Sequence, residues 1–328
     1  MSLASKPADL MDLDKEDDEV FLPKESTSGE IDQYAIHFLL NVAGNLRMIS
    51  YACSPNENTD RKKLVSKKGK DQIIHKNPLV LARRGLIRYF ISELKKLESG
   101  NSDVFEKNRE GEIQMKMTCQ LYMYSTYSYI CENVYWGMEE AKGHDNNHCI
   151  MNKIRRWVAL GVQGALLSNI INPIYITKIV LGSTPNIPIL DLRALLFGTM
   201  NFQDRECPRM EAIPSKKHFQ RDSPNLVLTR TYVWYLGLSN LDIIGADGRL
   251  EPEGKGSTIC KQEIFKAYLK LGAANKSALK YSRAKKKAGH YQYMKKLLYK
   301  KWETENNGKW LRKKSNKADK FWVELKRL

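Results

Sequence analysis

Residues 261–328 carry 21 of the chain's 54 Lys and Arg but only five Asp and Glu, so this last fifth holds +16 of a net charge of +17. Cations crowded together cannot be packed into an apolar core without compensation, so the fold must leave them in solvent or gather them round a polyanion. That anion can be external, such as RNA or an acidic protein, or it can lie inside the fold. Tyr and Trp are interleaved with the cations throughout the block. At the other end, residues 1–30 set nine acidic against three basic side chains. They show little periodicity and read as a disordered acidic tail, with Val20-Phe21-Leu22 as an apolar stretch that can dock on a partner. Residues 31–328 read as one domain.

With 42% hydrophobic residues the chain can bury a sizeable core. No apolar run reaches membrane-spanning length, and the N-terminus lacks the basic-then-apolar order of a signal peptide, so no membrane partner is expected. Six scattered cysteines without a CxxC pair fit a reducing compartment. Arg61-Lys62-Lys63 and Lys67-Lys68-Gly69-Lys70 resemble a nuclear-import signal, which makes the expected location nuclear, although surface loops carry such runs too.

Spacing predicts an amphipathic helix from Ile36 that runs into a strand over Arg47–Cys53. It predicts a helix over Leu79–Leu97, with Leu81, Leu86, Phe90, Ile91 and Leu94 near one face. Gln120–Ser128 alternates as a strand does, Lys153–Leu167 is helical and mostly apolar, and Ile174–Gly182 is a strand. Lys261–Trp302 is dominated by helices, interrupted near Leu271–Lys276. Interleaved strands and helices predict an α/β fold with one principal core.

Trp157-Val158-Ala159-Leu160-Gly161-Val162-Gln163-Gly164-Ala165-Leu166-Leu167-Ser168 closely resembles the signature helix of adenosine deaminases acting on RNA. Asn172–Gly182 continues the likeness. Ala82-Arg83-Arg84 with Arg88-Tyr89 resembles the family's first active-site helix, and Leu241–Ile244 with Asp247-Gly248 a later strand and turn. Cys260-Lys261 and Tyr281–Trp310 resemble its C-terminal part. The resemblance implies a cytidine-deaminase-like mixed sheet flanked by helices, with a helical C-terminal part that encloses a buried polyanion.

Zinc deamination uses one His and two Cys to hold the metal, and a Glu that is not a ligand to shuttle protons. At the family's spacing the His position is Asn77, the Glu position Leu79, and the two Cys positions Tyr129 and Ile150. No zinc and no catalysis are therefore expected. A slipped register would offer His75, Cys131 and Cys149 instead. A shift of two residues at a helix start moves a side chain several ångströms, whereas zinc tolerates a few tenths of an ångström in its bonds. The segment between the two Cys positions is also short, which removes the family's device for gripping a duplex.

The resemblance implies that the internal anion is inositol hexakisphosphate, held in a structural role. The matching positions are Arg83, Arg84, Lys153, Arg156, Trp157, Ser168, Lys261, Tyr281, Lys285, Tyr291, Lys295, Trp310 and Lys313. Arg312 and Ile74 depart from the family pattern. Lys286-Lys287, Lys300-Lys301, Lys314 and Lys317 match no ligand position. The alternative for the whole set is a solvated or RNA-binding face. Deaminase domains of this family can pair, and the overall pattern resembles a nematode adaptor that binds an RNA-editing deaminase. The expected partner is thus an active RNA adenosine deaminase, with RNA touched indirectly or weakly. A non-catalytic competitor for double-stranded RNA is the alternative. Trp136–His148, Asn201–Ser223 and the C-terminal tail are candidate contact surfaces.

Overall fold

The computed structural model describes residues 33–55, 71–73, 75–125, 150–181, 189–198, 206–212, 230–272, 279–305 and 321–323. The acidic tail, the basic clusters of 61–70, Ile74, Tyr129 and the 130–148 connection lie outside the described residues, as do Trp310, Arg312 and Lys313.

The chain begins its described part with two strands, β1 (Gln33–Val42) and β2 (Asn45–Pro55), paired antiparallel. The helix expected from Ile36 is therefore a strand. Ile36, Phe38 and Leu40 all point into the core at 0% exposure, a period of two that the intervening, also buried Leu39 disguises. The chain reverses over Ala43 and Gly44, with φ of 50° and 94°. Asn41 Oδ1 accepts from the Gly44 N–H at 2.9 Å and fixes the turn.

Helix α1 (Pro78–Glu98) follows, close to its predicted span. Proline suits its first turn, Lys95 and Lys96 face the negative end of its dipole, and Gly100, at φ 77°, lets the chain leave. Leu79, Leu81, Leu86 and Phe90 are fully buried against the sheet, each worth roughly 1.5–3 kcal/mol. Gly85 allows this approach: a Cβ there would meet Ser50 Oγ, with the Trp234 carbonyl oxygen and Tyr235 Cβ both at 3.3 Å. Ser50 in turn donates to the Ala82 carbonyl at 2.6 Å.

The hairpin β3 (Phe105–Lys107) and β4 (Ile113–Met115) leads into β5 (Cys119–Ser125), which alternates as expected. After it come α2 (Ile150–Leu160), the single turn α3 (Gly164–Leu167) and β6 (Ile176–Leu181). Next are α4 (Ile189–Phe197), β7 (Arg209–Ala212), β8 (Thr231–Tyr235) and β9 (Asp242–Ile244). Seven strands form one mixed sheet in the order β7-β6-β5-β1-β2-β8-β9. The β5–β6 and β6–β7 pairs are parallel and the other pairs antiparallel.

The cation-rich end supplies α5 (Lys261–Leu269), β10 (Leu279–Lys280), α6 (Tyr281–Lys287), α7 (Gly289–Glu305) and β11 (Trp322–Val323). Tyr281 stacks on Phe321 and meets Phe265 edge-on. These contacts anchor the start of α6 and the last described residues on α5. This is the mixed sheet flanked by helices that the sequence led us to expect. No described helix is long and apolar enough to cross a membrane.

Candidate anion site and the positions matched to the metal centre

The stretch expected to be helical from Lys153 to Leu167 is broken at Gly161–Gln163, and the break builds the site. Gly161 and Gly164 both take positive φ, 85° and 67°, a region that glycine enters at little cost. The Gln163 side chain lies against Gly161, where a Cβ would collide with it. Its Oε1 accepts from the Ile174 N–H at 3.0 Å, while Nε2 donates to the Leu160 carbonyl at 3.0 Å and to Ser168 Oγ at 2.9 Å. Gln163 is thus a buried splice between α2, α3 and the strand that follows. At Gly164 a Cβ would strike the Arg83 guanidinium, so this glycine opens the floor on which Arg83 lies. Ser168 Oγ donates to the Gly164 carbonyl at 3.0 Å.

The Arg83 guanidinium also stacks over Trp157, 5.1 Å from the ring centroid. Arg156 donates from Nη1 to the Tyr299 hydroxyl at 3.0 Å. Lys295 reaches over the Tyr299 ring at 5.3 Å and Lys285 over the Tyr281 ring at 5.0 Å. Burial pulls Arg83 down to about 10; Tyr291 and Tyr281 oppose that shift, while Arg156 and Arg84 add to it. The groups acting most on Arg83 therefore include four of the other positions singled out in the sequence, and no carboxylate.

Arg83, Arg84, Arg156, Trp157, Tyr281, Lys285, Tyr291 and Lys295 thus form one connected neighbourhood. Ser168 joins it through Gly164. Lys261 opens α5, and Lys153 meets His75 Nε2 at 2.9 Å. Trp310 and Lys313 lie outside the described residues. Sequence reasoning missed Tyr299 and Gly164: the first is recognised by its bond to Arg156, the second by its closeness to Arg83, and neither relation is readable from spacing. Lys286, Lys287, Lys300 and Lys301 are exposed, as expected.

The donor set is one-sided. Arg83 Nε, Arg156 Nε and Trp157 Nε1 are enclosed and have no hydrogen-bond partner among the described residues. Buried N–H groups left without acceptors cost about 1–3 kcal/mol each, more when charged. A compact anion with many acceptor oxygens fits such a set, and inositol hexakisphosphate is of that kind.

The positions that the resemblance matches to the zinc centre are built differently. Asn77 is 6% exposed and caps α1, its side chain accepting from the Leu79 N–H at 3.0 Å. Leu79 is 0% exposed. An amide committed to a cap and a fully buried alkyl chain do not fit a zinc ligand or a proton shuttle. Ile150 opens α2, and Tyr129 lies outside the described residues. His75, the look-alike ligand, meets the Lys153 ammonium, and the other two look-alikes, Cys131 and Cys149, lie outside the described residues. Among the described residues no three His, Cys, Asp or Glu are grouped to hold a metal. Asn77→Ala is expected to cost about 1 kcal/mol through loss of the cap, read as a lower urea midpoint at unchanged slope.

The adenosine-deaminase (editase) domain model matches residues 58–129 and 149–314, so the match is interrupted across the short connection that the sequence singled out. The chain is 30% identical over 176 residues to the double-stranded RNA-specific editase Adar of Drosophila melanogaster, covering 49% of this chain and 25% of that protein. It is 26% identical over 187 residues to editase B2 of Mus musculus and 27% over 202 residues to editase B2 of Rattus norvegicus, 53% of this chain in both cases. The chain matches about a quarter of the length of these relatives. With the family model covering well over half of its residues, the Gly-Val-Gln-Gly turn among them, the chain belongs to the adenosine-deaminase (editase) domain family.

Proposed function

We propose that this chain is a non-catalytic deaminase domain that binds an active RNA adenosine deaminase and supports or tunes editing as its partner. The observation that carries the reading is the pair Asn77 and Leu79, at the positions of the family's zinc His and catalytic Glu. One side chain closes a helix cap and the other is sealed in the core. The fully buried Leu79 supplies no acid to activate a metal-bound water, which supports this reading. A domain that gives up catalysis while remaining folded can still act through its surface, as the adaptor-like pattern of the sequence implies.

The same reading assigns inositol hexakisphosphate to the cation cluster as a structural ligand. Three enclosed donors without acceptors, on side chains from α1 and α2, support it. The anion would neutralise Arg83, Arg84 and Arg156 and join α1 and α2 to α6 and α7. The basic clusters at 61–70 would carry the pair into the nucleus.

The test is co-expression with an active RNA adenosine deaminase, followed by size exclusion and elemental analysis. Co-elution at micromolar concentration, with no stoichiometric zinc in this chain alone, is the expected result. Separate elution would end the partnership, and one zinc per chain would end the claim of inactivity.

The competitor reading draws on the +17 charge. Five cations, Arg83, Arg84, Arg156, Lys285 and Lys295, belong to the internal cluster, and the reading preferred above assigns them to the anion and not to a duplex. Salt-dependent affinity for duplex RNA equal to that of an active deaminase would reverse this preference.

A further inference from the structure

Helix α7 has two dissimilar faces. Its inner side carries Tyr291, Lys295, Tyr299 and Trp302, which belong to the cation cluster or the core. Its outer side is not the uniformly polar surface that a solvent-facing helix presents. Tyr293 is 60% exposed and Leu297 43% exposed, one turn apart. At 100° per residue they lie about 40° from each other round the axis. Lys296 and Lys300 are exposed on the same stripe. No Asp or Glu occurs anywhere between Tyr281 and Trp302.

We infer that this stripe is a docking surface for a protein whose matching face is apolar at its centre and acidic at its rim. Tyr293 and Leu297 keep apolar surface in water whose burial against a partner is favourable. An aromatic anchor inside a charged rim is the anatomy of a protein interface, in which a few central residues carry most of the affinity. Lys296 and Lys300, on a helix with no carboxylate before Glu303, set the sign of the partner's rim and accelerate encounter with it. The apolar centre argues against a nucleic acid, since a phosphate backbone gives Leu297 nothing to bury against. The stripe faces away from the cation cluster, so a docked partner leaves that site intact. The inference rests on the reading of this chain as a protein partner and names the surface that the partnership uses.

The test measures binding of the full chain to an active RNA adenosine deaminase for the wild type, Tyr293→Ala/Leu297→Ala and Lys296→Glu/Lys300→Glu. Each double variant is expected to weaken binding at least about tenfold, 1.4 kcal/mol. The charge reversal also flattens the salt dependence. Both keep the wild-type melting curve, because all four side chains stand in solvent. Wild-type affinity in both variants overturns the surface and leaves the partnership standing. Absence of binding by the wild-type chain overturns both. If Lys296→Glu/Lys300→Glu loses affinity only for a short RNA duplex, the stripe belongs to RNA. If the wild type self-associates and Tyr293→Ala/Leu297→Ala does not, with no deaminase bound, the occupant is a second copy. Either of these last results overturns the inference.

Discussion

Adding inositol hexakisphosphate to chain refolded without it is expected to raise the melting midpoint by about 5–15 °C. The gain should disappear in Arg83→Met/Arg156→Met. Ligand present at 100 to 1,000 times its dissociation constant stabilises by about 2.7–4.1 kcal/mol, and each kcal/mol moves the midpoint of a domain this size by roughly 2–4 °C. The sign follows from the cluster: without an anion, burial lowers the Arg83 pKa to about 10, with Arg156 and Arg84 adding to the shift. Three enclosed N–H groups then lack acceptors. A polyanion removes both penalties at once, whereas the methionine variant keeps the apolar stems and has neither cation to satisfy. Differential scanning fluorimetry with sodium sulfate at matched ionic strength is the control. An equal shift from sulfate would reduce the effect to general screening and remove the case for a dedicated site.

How far this cluster was legible in the sequence depends on which residues are considered. Arg83 and Arg84 stand on a helix whose spacing was unambiguous, and α1 came out close to its predicted limits. The β1 strand was misread because Ile36–Val42 is apolar at enough consecutive positions to satisfy both a period of two and a period near 3.6. The deciding signal, a two-residue reversal at Ala43-Gly44, is not among the residue pairs enriched in tight hairpins. The Gly161–Gly164 motif was recognised but its geometry was not. Its apolar neighbours imply one helix, whereas two positive φ values and the Gln163 splice divide it into two. Tyr299 and the His75–Lys153 pair were invisible for another reason. Each is a contact across 143 and 78 residues respectively, and local periodicity holds no information at that range.

Leu79→Glu is expected to destabilise the chain by at least about 3 kcal/mol at pH 7, and Asn77→His/Leu79→Glu to take up no stoichiometric zinc. Leu79 has no exposed surface and belongs to the main core, so a carboxylate there must desolvate or stay protonated. The positive end of α1 would return only about 0.3–1 kcal/mol. Because burial raises the folded-state pKa of such a glutamate above its unfolded value, the charge penalty is present above the unfolded pKa. It fades as pH falls toward about 4.3, so the urea midpoint of Leu79→Glu should approach that of Leu79→Gln at pH 4.5. In a metal-bearing site a dication a few ångströms away compensates this carboxylate. Here Lys153 meets His75, Asn77 caps the helix, and no three described donors are grouped to hold a compensating metal, so the substitution introduces an acid that must bear the full cost of burial. A Leu79→Glu chain as stable as wild type, or a double variant that binds one zinc, would mean that the old pocket survives beneath Leu79. The proposed inactivity would then rest on the side chains replaced at Asn77, Leu79, Tyr129 and Ile150 and not on a rebuilt core.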